Sequence, residues 1–584
     1  MSEPAPKAAE WPAMPVERAN ELLTRPGSPF EVEDRIIRGV PLKVWKHAPA
    51  TLRDLWELGR VHGDKTFLVN EDERVSFDGF NKAVIAFANE LRARGVEKGD
   101  RVAIIVRNLP EWPVAFFAAQ LIGAVATPLN AWWTGPELLY GLTDSGARVA
   151  VFDAERLKRV AELVDQAPAL ERIYASRLPG AAPHPKVTPL EDVIGRPNDW
   201  ARLKEQAVPE ADLGPDDDAT IFYTSGTTAN PKGALGTHRN AISAMYISPY
   251  SGARTFLRRG EAPPAPDPAA PQRRALLSIP FFHVTGCVAL LCTSVYAGGM
   301  IVMQRKWEPE EAFRLIQRER INIAGGVPTI AWQILEHPAR ENYDLSSLDT
   351  VTYGGAPAAP ELVRRIKEVF PDAEPATGWG MTETSATFTH FTGRDYEHRP
   401  DSCGVAPPVG ELKVVGAHGQ SLPPGEVGEL WARGPQVVKG YWNKPEATAK
   451  TFVDGWVVTG DLARLDEEGF CYIVDRAKDM IIRGGENIYC SEVEAVLYQH
   501  PAVMDAALVP SPHRTLGEEP AAVVTLTPGA QASEDELRAW VAERMAAYNA
   551  PVKVVFWPEP LPRNPNGKIL KTELKKLFAM PAEA

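Results

Sequence analysis

Between residues 100 and 380 short apolar runs alternate with stretches of helical period. "RVAIIV" (101–106) reads as a buried strand. "PEWPVAFFAAQLIGA" (110–124) is apolar on every side, with proline near its start, and predicts a buried helix. "ELLYGLTDSG" is amphipathic, and "ARVAVF" (147–152) is again a strand. "ATIFYT", "ALLSIP", "GMIVMQ", "INIAGG" and "TVTYGG" follow as strands, with helix-like "PEEAFRLIQRER" and "PELVRRIKEVF" between several of them. This alternation predicts an α/β protein with mainly parallel sheets and sites at the strand ends.

After about residue 400 the texture changes. "VGELKVV", "GEVGELWARG" and "GFCYIVD" are short alternating segments with glycine turns, a small antiparallel β subdomain over 402–475. From Arg476 onward a compact α+β pattern ends in "LPRNPNGKILKTELKKLF". The fold class expected is therefore α/β: a large N-terminal domain, 1–475, of α/β sheet subdomains plus the β subdomain, then a small α+β C-terminal domain, 476–584. "EAPPAPDPAAP" (261–271) reads as an exposed loop insertion. The run 284–303, "VTGCVALLCTSVYAGGMIVM", is charge-free and long enough to span a bilayer. Gly298-Gly299 breaks it and no basic cluster flanks it, so a buried helix, a turn and a strand are expected, not a transmembrane segment.

Composition adds exclusions. A net charge of −13 disfavours nucleic acid or an anionic membrane as partner, though a local basic pocket could still take an anionic substrate. The five cysteines form no C-x-x-C pair, which predicts reduced, packed thiols in a cytoplasmic protein. The N-terminal stretch has no apolar core of a signal peptide. The oligomeric state stays open, a homodimer included.

The chemistry concentrates in "YTSGTTANPKG" (223–233). Gly226 lets backbone N–H groups approach an anion; Thr224, Ser225, Thr227 and Thr228 add hydroxyls, and Lys232 adds a positive charge. No Gly-Lys-Ser/Thr follows four spacers, so it is not the common P-loop. On composition alone it is equally a polar turn. The stretch resembles the phosphate-binding signature of the adenylate-forming superfamily: acyl- and aryl-CoA synthetases, peptide-synthetase adenylation domains and luciferases. "TYGGAP" (352–357), "GWGMTE" (378–383), "TGD" (459–461), "DRAKDMIIRGGENIYCSEVE" (475–494) and "NPNGK" (564–568) follow in that family's order, nearest to AMP-forming fatty-acyl-CoA synthetases.

The resemblance implies ATP, Mg2+ and coenzyme A, with a small-molecule carboxylic acid as substrate. A carboxylate becomes a competent acyl donor once its oxygen is converted to an AMP leaving group, and two anions must meet for that to happen. By resemblance Lys568 bridges carboxylate and α-phosphate, Lys232 and Thr382 contact phosphate, and Glu383 holds Mg2+ with Thr228 nearby. Gly355, Ala356, Pro357, Gly378, Trp379, Gly380 and Met381 frame the nucleotide, with Asp461 and Arg476 on the ribose. Lys478 falls at the family's hinge, about which the C-terminal domain is mobile, and Gly484 and Gly485 would leave room for a pantetheine arm.

"IPFFHVTG" (279–286) matches the motif lining the family's acyl site. Amino-acid-activating members carry an aspartate there; this chain has none, and an unpaired buried ammonium is expensive, so an amino acid is disfavoured. His283, Val327, Gly354 and Trp379 are expected to line the acyl pocket. Trp379, where relatives have tyrosine, suits an apolar chain or ring. The expectation is a medium- to long-chain fatty acid transferred to CoA. An aryl or branched acid and loading of a carrier protein are the alternatives.

Overall fold

The computed structural model describes residues 11–224, 230–265, 267, 269–356, 358–527, 529–564 and 568–578. Two eight-stranded sheets occupy the region of alternating pattern. In the first, Asp218–Tyr223, Val125–Pro128, Arg101–Ile105, Val149–Asp153, Arg172–Ser176 and Val187–Pro189 run parallel, Gly233–Thr237 turns back antiparallel to Asp218–Tyr223, and Gly440–Tyr441 pairs antiparallel with Gly233–Thr237 at the edge. In the second, Glu374–Trp379, Thr350–Gly354, Ile323–Gly326, Arg274–Leu277, Met300–Met303 and Thr66–Asn70 are parallel, with antiparallel strands Thr389–Thr392 and Glu73–Ser76 at the edges. Phe470–Arg476 belongs to a smaller antiparallel sheet that includes Trp456–Leu465 and Gly428–Arg433. The C-terminal region builds a five-stranded sheet around Gly517–Leu526, backed by helices Cys490–Tyr498 and Glu534–Ala542. The mixed α/β class, with a large N-terminal and a small C-terminal domain, is as the pattern predicts.

Helix Glu111–Ile122 is buried along its whole length, as its all-round apolar sequence requires. Gly123, at φ +74°, ends it in the left-handed conformation that glycine adopts without strain. Trp112 stacks on Phe116 and on Phe281, with ring centres 5.5 and 5.2 Å apart, so this helix ties the first sheet to the loop after Arg274–Leu277 of the second. The charge-free run becomes a helix of π winding, Thr285–Cys292, continues as Thr293–Ala297, closes at Gly298 and leads into Met300–Met303. Helix, turn and strand are as expected; the π winding, a feature frequent at functional sites, is not. Among the described residues no helix is long and apolar enough to cross a membrane.

One face of the second sheet positions the site. Val351 and Tyr353 pack with Leu335, Leu362 and Ile366 on one side, so Thr350, Thr352 and Gly354 point to the other. The register sets Gly325, Thr352, Ala376 and Thr392 in one row across the sheet, and Gly354, Gly378 and His390 in the next. The result is a floor of mostly small side chains. Over it stand the Thr285–Ala297 segment and helix Ile247–Arg258.

Helix Ile247–Arg258 is fastened at its far end. Arg258 is fully buried; its Nε lies 2.6 Å from both oxygens of Asp395, and its Nη1 donates to the carbonyl of Met14 at 2.9 Å. Removing one partner of a buried ion pair leaves the other charge uncompensated. Asp395→Ala is therefore expected to cost about 3–5 kcal/mol, measured by denaturant unfolding; an unchanged midpoint would show that the pair contributes nothing.

Candidate active site

A cavity of about 1750 Å³ opens where the two large sheets, the antiparallel sheet and the C-terminal region meet. Its walls bring together Thr224, Lys232, His283, Gly354, Gly355, Ala356, Gly378, Trp379, Gly380, Met381, Thr382, Glu383, Asp461, Arg476, Lys478 and Lys568, residues drawn from every motif named above except the Gly484-Gly485 turn. Ser225, Gly226, Thr227, Thr228 and Pro357 lie outside the described residues, so the phosphate loop is represented by its two ends.

Those ends form the neck of a hairpin. The Thr224 N–H donates to the Lys232 carbonyl at 2.9 Å, and the Lys232 N–H to Thr224 Oγ1 at 3.2 Å. The Lys232 ammonium lies 4.4 Å from the centre of the Tyr441 ring. The Tyr441 hydroxyl in turn donates to Glu383 Oε1 at 2.5 Å. Burial pushes the Glu383 carboxyl up; the Tyr441 hydrogen bond opposes this, as do Arg476 and Lys232. A buried carboxylate of this kind suits Mg2+, which takes one or two carboxylates and completes its shell with phosphate oxygens and water. Among the described residues no cluster of three or more acidic, histidine or cysteine side chains could hold a metal without such help.

The glycines of "GWGMTE" are steric necessities. A Cβ on Gly380 would stand 1.7 Å from the Ala386 carbonyl oxygen, and one on Gly378 2.5 Å from that of Thr389. Trp379 between them is buried, and its indole N–H donates to Asp461 Oδ2 at 2.8 Å. The other Asp461 oxygen lies 2.6 Å from Arg476 Nε, its cross-strand partner. Trp379 thus does more than form the flat apolar surface expected of it: its polar edge fixes a carboxylate.

Lys568 comes from the C-terminal region. Its backbone N–H donates to Asn564 Oδ1 and its carbonyl accepts from the Asn564 N–H, at 3.0 and 2.9 Å. Burial, then the neighbouring Arg476, pull its ammonium down to about 8, while Asp461 and Asp479 act the other way. Lys478 sits in the turn that follows strand Phe470–Arg476.

One expectation, Val327 on the acyl pocket, finds no support in the geometry. Val327 packs with Leu276, Ile330 and Ile334 behind the sheet, because it caps helix Pro328–Glu336 with its side chain on the helix side; Gly325 and Gly326 border the cavity instead. Gly484 and Gly485 are an exposed two-residue turn, at φ +60° and +96°, between Ile481–Arg483 and Glu486–Ile488, away from this cavity. His283 does line the cavity; its Nδ1 accepts the Thr285 N–H at 3.2 Å, and burial pulls its imidazole down to about 4. Tyr441 was not anticipated, since a tyrosine after a glycine turn carries no local signal.

Comparison with known proteins agrees with this geometry. Residues 55–442 match the AMP-binding enzyme family and residues 492–568 the AMP-binding enzyme C-terminal domain, and the chain belongs to that family. A feruloyl-CoA synthase of Amycolatopsis sp is 35% identical over 504 residues, covering 86% of this chain and 94% of that one. A long-chain-fatty-acid–CoA ligase of Mycobacterium tuberculosis is 34% identical over 510 residues, covering 87% and 94%. The crystal structure of an anthranilate CoA ligase in complex with anthranoyl-AMP superimposes with a TM-score of 0.79 at 26% identity, covering 90% of this chain and 97% of that one. The resemblance to adenylate-forming enzymes is therefore a family relationship.

Trp379→Phe keeps the ring and deletes the N–H that steadies Asp461. Its expected effect is a rise of about tenfold in the AMP dissociation constant, measured by calorimetry; unchanged affinity would leave the Trp379–Asp461 bond without a role in binding.

Proposed function

We propose that the protein is an AMP-forming acyl-CoA ligase whose acid is an alkyl chain of medium to long length. Using ATP, Mg2+ and CoA, it first joins a carboxylate oxygen to the α-phosphorus as pyrophosphate leaves. The CoA sulfur then attacks the acyl carbon and AMP departs. The observation that carries the chain-length reading is the continuation of the cavity along the sheet floor, past Gly354 and Thr352 to Thr350 at the opposite end of the strand. Four strand steps are about 13 Å. Gly286, Ala289, Leu290, Thr293 and Ala297 of the Thr285–Ala297 segment border it from the other side. A floor and a wall with many small side chains leave room for an extended tail. An aryl acid is the second reading, favoured by the feruloyl-CoA synthase relative.

In this reading Lys568 places a positive charge between the two anions, with Lys232 and Thr382 on phosphate. Glu383 holds Mg2+, which when bound offsets phosphate charge. Asp461 accepts the ribose hydroxyls, Arg476 supports it, and Gly355 and Ala356 lie against adenine. The C-terminal domain, 476–584, pivots at Lys478 after adenylation. Lys568 then withdraws and the Gly484-Gly485 turn takes its place beside the pantetheine arm. Lys568 at the cavity with the glycine turn outside it supports the adenylation-ready half of that cycle.

Two expectations follow for Lys568. It is cationic below its shifted pKa of about 8 and neutral above it. The kcat/KM for pyrophosphate release should therefore fall as pH rises through about 8 with a single ionisation. Lys568→Arg, always charged, should lose that limb; a wild-type profile flat to higher pH would remove the lysine from the step. Lys568→Ala should slow adenylation by about 100-fold or more, while conversion of supplied acyl-adenylate to thioester survives; equal loss in both halves would refute the division of labour.

Chain length is tested by thioester formation across alkyl acids of increasing length and ring acids. The expected result is kcat/KM rising with alkyl length; turnover of ring acids alone would establish the second reading.

A further inference from the structure

His390 stands out on the channel floor. It belongs to the edge strand Thr389–Thr392 and pairs directly with Gly378, so its ring projects from the same face as Gly354 and Gly378, the row nearest the nucleotide end. Its neighbours in that row are glycines, and the next row is Gly325, Thr352, Ala376 and Thr392. A ring carrying two polar nitrogens therefore borders the cavity beside a row of glycines.

The ring is underused by the protein. Its Nε2 lies 3.4 Å from Ser248 Oγ, long for a hydrogen bond, and Ser248 also borders the cavity. Its Nδ1 is shielded from water and has no hydrogen-bond partner. A buried polar atom left unpaired is unfavourable. The backbone around the ring is fully engaged: the His390 carbonyl accepts from the Ser251 hydroxyl at 2.6 Å. The imidazole is thus held in place, and its Nε2 side, with Ser248, is the side that can meet a group in the cavity.

Resting on the ligase reading above, we infer that His390, with Ser248, recognises a hydroxyl group on the acyl portion of the substrate. A neutral imidazole has one N–H and one lone pair, and a hydroxyl both donates and accepts, so it satisfies either tautomer. Burial first, and then the nearby Arg254, pull His390 down to about 4, so the ring is neutral in ordinary working conditions. A second carboxylate on the substrate is the poorer fit, because a neutral imidazole offers it one hydrogen bond and no charge. Arg254 is buried in the adjoining helix and is not among the residues bordering the cavity. The hydroxyl has two chemical sources, a phenol or an alkyl alcohol, and the same atoms would read both.

The test measures kcat/KM for thioester formation by the intact chain on matched acids. One pair is a phenylpropenoic acid with and without a ring hydroxyl; the other is an alkanoic acid with and without a chain hydroxyl. In at least one pair the hydroxylated member should be preferred by about tenfold, and the pair that shows it names the source. His390→Phe should bring that ratio close to one. Ser248→Ala, milder for folding, should lower it in the same direction. A ratio near one in the wild type for both pairs overturns the inference, as does an unchanged ratio in both variants or a stronger preference for a dicarboxylic acid. If no acid yields pyrophosphate or thioester, the ligase reading itself falls; turnover without discrimination defeats only the role of His390 and Ser248.

Discussion

The Asp461 carboxylate is the place where three parts of the chain meet. It stands on the antiparallel sheet, takes the indole N–H of Trp379 from the second large sheet, and takes Arg476 from the neighbouring strand. Lys568 of the C-terminal region lies within its electrostatic reach. Almost no water reaches Asp461, so the geometry of these contacts is set by protein groups alone. In a low-dielectric setting fixed donors and charges act more strongly than they would in water, and they need no rearrangement when a ligand arrives.

Glu383 shows the same economy on the other side of the cavity. The chain Lys232, Tyr441, Glu383 places a cation on a ring face and the hydroxyl of that ring on a carboxylate. Each group orients the next, so the hairpin neck from the first sheet and the acidic end of "GWGMTE" from the second are held in one frame.

Much of this was readable in advance. Strands such as Arg101–Ile105 and the buried helix Glu111–Ile122 declare themselves by apolar pattern, because burial on all sides leaves no polar face to write. Each quoted motif contributes residues to the cavity wall, since glycines and charged side chains at fixed spacing carry local constraints. The contacts that tie the motifs together were not readable. Trp379 to Asp461 and Tyr441 to Glu383 join residues 82 and 58 positions apart, and nothing in either local stretch encodes the other. That Val327 turns into the core with Ile330 and Ile334 while Gly325 borders the cavity becomes visible only once the strand Ile323–Gly326 and the helix after it are placed, and His390 likewise looks like any polar residue at a strand edge.

The grip of Arg258 on the Met14 carbonyl and on Asp395 reaches further than local stability. Helix Ile247–Arg258 is a rod of about 18 Å, anchored at one end by the outermost described stretch of the chain and presenting Ser248 to the channel at the other. The Met14 contact is made by a backbone carbonyl, so this mooring survives a change of side chain at that position.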